Sequence, residues 1–243
     1  MPPRDDTRRK LWFQPRPLGV LEKIMANEFR LNPDEKPFDP PDGVKPKAAR
    51  PRDAATLILV RGGREVMMGQ RAKGHVFMPD KWVFPGGSVD PGDARADAAR
   101  ELTPETEALL KLGGVRRAPR AFALAAVRET HEETGLALGG DAGPDLSRLA
   151  FVARAITPPY RPRRFDARFF LADAEAVGAH ADPIPGEELL HTKWFTLEEA
   201  MALDLPSITR FVLKEVQARL AGDTVQPPFL RFSRGKHTLE RLG

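Results

Sequence analysis

Residues 128–136 read Arg-Glu-Thr-His-Glu-Glu-Thr-Gly-Leu. Three carboxylates, Glu129, Glu132 and Glu133, stand at i, i+3 and i+4. On a helix those positions share one face, and like charges at that spacing repel. A face in water tolerates the repulsion, so a solvated acidic face is the plain alternative. A partly enclosed face needs a cation. Oxygen-only ligands on a short rigid element suit a hard divalent ion such as Mg2+ or Mn2+, which keeps several waters and bridges to phosphate. Gly135 follows as a helix stop.

Upstream, Phe84-Pro85-Gly86-Gly87-Ser88-Val89-Asp90-Pro91-Gly92-Asp93 is a glycine-rich loop leaving a strand-like run. With this loop in place the chain resembles the Nudix hydrolases. Their signature runs Gly, five residues, Glu, seven residues, Arg-Glu, an apolar residue, any residue, Glu-Glu, any residue, Gly and an apolar residue. Gly87 fits the first glycine, and Arg128, Glu129, Glu132, Glu133, Gly135 and Leu136 fit the second half. Asp93 stands where the family usually has Glu, and Thr130 stands at the usual apolar position. Residues 94–127, 34 in all, separate Asp93 from Arg128 where the family has seven, so an insert of 27 splits the signature. A branch of the family that includes coenzyme A diphosphatases carries such an insert at this point.

The resemblance implies an α/β fold, the Nudix-type α/β/α sandwich with a mixed sheet. It implies metal-dependent hydrolysis of a phosphoanhydride in a nucleoside diphosphate linked to another moiety. Candidate small-molecule nucleotide substrates are coenzyme A and its thioesters, dinucleoside polyphosphates, nicotinamide dinucleotides such as NADH, and ADP-ribose. It also assigns roles. Glu129, Glu132 and Glu133 are the metal ligands, Glu129 doubling as the base that orients water. Arg128 holds the glutamates in register by ion pairing. Gly87 lets the loop backbone come close and donate a ligand carbonyl, or shapes the start of the helix. A further acid outside the signature serves the family as ligand or base. Glu187 and Glu188 are the candidates here, and spacing to Trp194-Phe195 favours Glu188.

Phosphate recognition points to Arg161, Arg163, Arg164 and Arg168, the densest basic cluster after residue 52, stiffened by Pro158, Pro159 and Pro162. Such a loop before a strand can clamp phosphates bidentately, although solvated basic loops are common. Arg71, at a strand end near the glycine loop, is another candidate. Tyr160 is placed to stack on a base, and His75 lies in a loop that partly resembles the coenzyme A-specific Nudix signature. His131 points away from the carboxylate face by the 100° helical step and reads as exposed. Two other readings stand beside hydrolysis of a small molecule. One is a catalytically silent Nudix-fold regulator, against which the intact glutamate trio counts. The other is a pyrophosphohydrolase of RNA ends.

The surrounding elements follow from pattern. Thr56–Val60 reads as a buried strand, Arg61–Arg64 as a turn and Glu65–Arg71 as its hairpin partner. Lys81–Phe84 leads into the glycine loop. Asp93 is expected to cap an Ala-rich helix over 94–102, and Thr103-Pro104 to start a second that Gly113-Gly114 ends. Phe122–Thr134 is the acidic helix. Strands are expected at 150–157, 165–172 and 189–195, a short helix capped by Thr196 at 197–203, and a longer helix from Pro206-Ser207 to about Leu220. The expected organisation is a proline-rich basic arm over 1–52, a Nudix domain over 53–222 with the helical insert inside 94–127, and a tail over 223–243.

Composition bounds the setting. The net charge is +4, and residues 1–52 hold 12 Lys+Arg against 8 Asp+Glu, so the arm carries all of it. Its acidic residues are interleaved and it has no run of five like charges, which argues against a nucleic-acid partner. The arm holds 10 of the 24 prolines, so it is no regular core, although Leu18–Glu28 has helical spacing. Cysteine is absent, which fits a reducing compartment and a cytoplasmic location. The charged start has no apolar stretch of a secretory signal, and Ala121–Val127 is too short to span a bilayer. A homodimer is expected only on the general frequency of two-fold assemblies.

Overall fold

The computed structural model describes residues 49–243, apart from 75–77, 115, 160, 162, 180, 224–225 and 234–235. The expected helix at Leu18–Glu28, His75 and Tyr160 lie outside the described residues. Strand β1 (Arg52–Arg61) organises the molecule. Its Ala55, Leu57 and Leu59 belong to one apolar cluster, Ile58 and Val60 to another. Successive side chains of a strand point to opposite faces. A continuous apolar run therefore means a strand covered on both sides.

The sheet supplies that arrangement. Its strands are β2 (Glu65–Arg71), β3 (Trp82–Val83), β4 (Gly86–Ser88), β5 (Ala150–Ile156), β6 (Phe165–Asp173), β7 (Leu189–Thr196), β8 (Pro228–Ser233) and β9 (Lys236–Arg241). The order is β3-β2-β1-β6-β5-β8-β9, with β4 on β1 and β7 on β2. β1 and β6 run parallel, as do β5 and β8; the other pairs are antiparallel. Helices α1 (Pro104–Lys111) and α2 (Pro119–Thr134) feed the first cluster through Leu110 and residues 121–126. Helices α3 (Leu197–Ala202) and α4 (Ser207–Leu220) feed the second through Ala200, Phe211, Val212, Leu213 and Val216. This is the mixed-sheet α/β/α sandwich that the sequence led us to expect.

The insert is partly as expected. Thr103 caps α1, accepting the Thr106 N–H at 3.2 Å, and Pro104 occupies its first turn. The Ala-rich stretch 94–102 is not a helix. Only a 3-10 turn forms, at Asp93–Arg95. The reason is competition: Asp93 is engaged elsewhere, and the Arg120 guanidinium takes the carbonyls of Ala94 and Ala96 that a helix would use. Residues 228–233 and 236–241, read as part of a tail, instead pair as β8 and β9 and extend the sheet beyond β5.

Candidate active site

Helix α2 starts at Pro119, whose missing N–H costs nothing in a first turn. Ala121 to Ala126 are all buried, so this half of the helix is locked into the core. The polar half carries Arg128, Glu129, Glu132 and Glu133 beyond it. Gly135 closes the helix in the left-handed region (φ 66°), its N–H donating to the His131 carbonyl at 2.8 Å. Thr130, at the family's apolar position, is fully buried. Its hydroxyl donates back to the Ala126 carbonyl at 2.7 Å, which satisfies it inside the core. His131 is exposed, as read.

The glycine loop meets this helix in space. β4 pairs with β1 through Ala54–Ser88, Ala55–Gly87 and Thr56–Gly86. A Cβ on Gly87 would collide with the Glu129 carboxylate, so any larger residue there would have to displace that side chain. The Gly86 N–H donates to Glu133 Oε2 at 2.8 Å. Arg128 bridges the two halves. Its Nε and Nη2 donate to Asp93 Oδ1 and Oδ2 at 2.9 and 3.2 Å, and Nη2 also reaches the Ser88 carbonyl at 3.0 Å. Its Nη1 donates to Glu129 Oε1 at 2.9 Å and Glu132 Oε2 at 3.0 Å. Asp93 is 4% exposed and also accepts the Asp90 N–H at 2.7 Å. The residue that departs from the signature is thus the anchor of its arginine.

Burial sets the electrostatics. Glu133 is 5% exposed and its carboxyl is pushed up to about 8, chiefly by desolvation; the Gly86 N–H and Arg71 oppose the rise, and Glu129 and Glu188 add to it. Its Oε1 is buried with no hydrogen-bond partner. The Glu129 carboxyl is also raised, first by burial, with Arg128 opposing and Glu132 and Glu188 adding. The Arg128 guanidinium is held well above its ordinary range by the Asp93 hydrogen bonds, against burial. Glu132 is half exposed.

Glu188, just before β7, is near enough to add to the rise of both the Glu129 and Glu133 carboxyls, with its own side chain 61% exposed. Its backbone carbonyl accepts the Ala72 N–H at 3.2 Å. Arg71 Nη1 lies 3.9 Å from Glu188 Oε2, with the Arg71 side chain mostly buried. Glu187 is exposed. The other arginines stand on the loop before β6. Arg164 donates to the carbonyls of Thr157 (3.0 Å) and Ala49 (2.7 Å), while Arg163 is exposed and Arg161 half-buried. Arg168, read with that basic cluster, is 1% exposed, 3.3 Å from Asp53 and 3.1 Å from Asp166, over the Phe122 ring. It is a core cation. Alternation along β6 turns it inward, which the count of arginines in the loop did not reveal.

The donor set suits a hard cation. It is all oxygen, and one atom, Glu133 Oε1, is buried without a partner. As the side chains stand, no three His, Asp or Glu among the described residues converge as a metal-holding group. Glu129 and Glu132 both accept from the Arg128 guanidinium. Sequence reasoning missed the Gly86 N–H as a Glu133 partner. It also missed two N–H groups of the loop before β7 that grip the end of α2, those of Ile184 and Gly186.

A family model described as NUDIX domain matches residues 50–123 and 112–216. The Caenorhabditis elegans protein "Putative nudix hydrolase 7" is 35% identical over 150 residues, covering 49% of this chain and 43% of that protein. The chain thus spans less than half the length of that curated relative. The crystal structure of a NUDIX hydrolase from Alicyclobacillus acidocaldarius superposes with a TM-score of 0.56 at 28% identity, covering 70% of this chain and 92% of that one.

Proposed function

The chain belongs to the Nudix family, and from that premise we propose that it hydrolyses the phosphoanhydride of a nucleoside diphosphate linked to another moiety, with Mg2+ or Mn2+ as cofactor. The observation that carries this reading is the meeting of the two halves of a split signature. Gly87 leaves room for the Glu129 carboxylate, Gly86 binds Glu133, and Asp93 holds Arg128 across the intervening residues.

Glu129, Glu132 and Glu133 are the proposed ligands. A divalent cation held by them would set positive charge against the phosphates at the reacting end of the substrate. The protein's own groups do the rest. Arg128 keeps Glu129 and Glu132 in register. Glu129 or Glu188, the two carboxylates that the resemblance offers as base, orients the attacking water, with Arg71 beside Glu188 to steady its charge. The Gly86–Ser88 backbone closes the floor beneath Glu129 and Glu133. Arg161, Arg163 and Arg164 remain the proposed phosphate contacts of the flanking loop. The insert between Asp93 and Arg128 is the ground for the finer reading, that of the branch including coenzyme A diphosphatases.

The test is phosphate-product detection over coenzyme A, diadenosine polyphosphates, NADH, ADP-ribose, nucleoside triphosphates and capped RNA, each with Mg2+ or Mn2+, beside Glu132→Gln. We expect metal-dependent hydrolysis of one nucleotide class, reduced at least tenfold in the variant. Equal activity in the variant removes the ligand role. A preference for capped RNA, weakening steeply with salt, would replace the small-molecule reading.

A further inference from the structure

The segment Asp182-Pro183-Ile184-Pro185-Gly186 leads from the end of the α2 region to Glu188. Prolines at 183 and 185 have no N–H and fix φ near the extended value. The N–H groups left in the stretch 183–186 are those of Ile184 and Gly186, and both are used. Ile184 donates to the Thr134 carbonyl at 2.7 Å and Gly186 to the Glu133 carbonyl at 3.2 Å. These are carbonyls of the last helical turn, which lack intrahelical partners. The strap thus finishes α2 at Thr134 and at Glu133, one of its three glutamates. The fit is tight: a Cβ on Gly186 would stand 3.1 Å from both the Glu132 and Glu133 carbonyl oxygens. The side chain of Ile184 lies 69% exposed, its Cβ 3.4 Å from where a Cβ on Gly135 would stand. Two residues past Gly186, Glu188 is fixed on the other side by the Ala72 N–H and paired with Arg71.

We propose that Gly186, with Pro183 and Pro185 on either side of Ile184, acts as a positioning residue: it clamps this strap to the last turn of α2 and so sets Glu188 at a fixed place among the glutamates of α2. This rests on the hydrolase reading and on Glu188 as the acid outside the signature. Alanine at 186 pushes the strap off the two carbonyls by a few tenths of an ångström, and the displacement passes to Glu188 through one intervening residue. Pro185→Ala frees φ without adding bulk beside α2, and gives a second, gentler perturbation.

The experiment is a double-mutant cycle in the full chain, combining Gly186→Ala with Glu188→Gln, on whichever panel nucleotide the wild type hydrolyses fastest, with amide hydrogen exchange of residues 182–188 alongside. We expect Gly186→Ala to lower kcat about tenfold with KM within about twofold, and to cost nothing further once Glu188 is Gln. Pro185→Ala should show the same pattern, reduced. Exchange at Ile184 and Gly186 should be slow in the wild type and faster in Gly186→Ala. Additive losses in the cycle overturn the positioning role while leaving the hydrolase intact. Fast exchange at both amides in the wild type overturns the clamp itself. A wild type that hydrolyses no panel nucleotide, even with exchange protected, takes down the hydrolase reading and the positioning role with it.

Discussion

Glu133 is the residue where burial and function pull hardest against each other. Its carboxyl, pushed up to about 8 by desolvation, holds a proton at neutral pH that the unfolded chain, near its ordinary 4.5, has already released. A raised acid favours the fold fully below about pH 4.5, and that contribution is lost as pH rises through about 8. The difference is on the order of 5 kcal/mol. In EDTA the protein should therefore melt lower at about pH 9 than at about pH 5, and Mn2+ should restore stability most at the alkaline end. Glu133→Gln keeps an acceptor for the Gly86 N–H and removes the charge. It should flatten the pH dependence, raise the metal-free melting temperature at about pH 9, and lower hydrolysis at least tenfold. Melting curves in EDTA at both pH values check the first two outcomes; a variant as pH-sensitive as the wild type would clear Glu133 of responsibility. Asp93 gives the other residue-scale lesson. Its place at the signature spacing was visible, but its bond to Arg128 needed two chain segments 35 residues apart to meet.

At the scale of elements, caps and stops were readable because they act within a few residues. Thr103-Pro104 before α1, Gly135 after α2 and the Thr196 capping box before α3 all lie where the sequence puts them. The start of α2 was read three residues late, since Pro119 opens a helix whose first turns are buried at every position but Arg120 and show no clear amphipathic face. The missing helix at 94–102 failed for a tertiary reason, the Arg120 grip on its carbonyls. Helix α1 is part of the core: Leu110 is 2% exposed and shares a cluster with Phe229 and Leu242. Leu110→Ala should cost roughly 2–5 kcal/mol of unfolding free energy in urea titrations. A loss under about 0.5 kcal/mol would mean the insert is a loose appendage.

At the scale of the molecule, the insert and the terminal hairpin depend on each other. β8 and β9 extend the sheet past β5, and α1 covers the new apolar surface that Phe229 and Leu242 present. Arg154 ties the two additions together. It donates to the Leu112 and Gly113 carbonyls, pairs with Asp166 at 2.8 Å, and lies over the Phe229 ring. Arg241 on β9 pairs with the buried Glu215 of α4 at 2.8 Å, so a truncation leaves that carboxylate without this partner. Removing residues 223–243 should lower the melting temperature by about 10 °C or more, with Glu129, Glu132 and Glu133 untouched. Differential scanning calorimetry checks it, and an unchanged melting temperature would show that the hairpin is dispensable to the core.

Local chemistry was legible along the chain: the carboxylate spacing on α2, the glycine loop, the helix stops and the doubly covered β1 all follow from periodicity and residue type. The mixed sandwich followed from the resemblance to the Nudix family. Tertiary structure alone decided which charges face each other. It carried Asp93 and Ser88 to Arg128, turned Arg168 into the core, set Arg71 against Glu188 within electrostatic reach of Glu133, and made strands of residues 228–233 and 236–241. Such choices depend on the register between segments distant in sequence and on the competition for buried hydrogen bonds, neither of which leaves a local pattern to read.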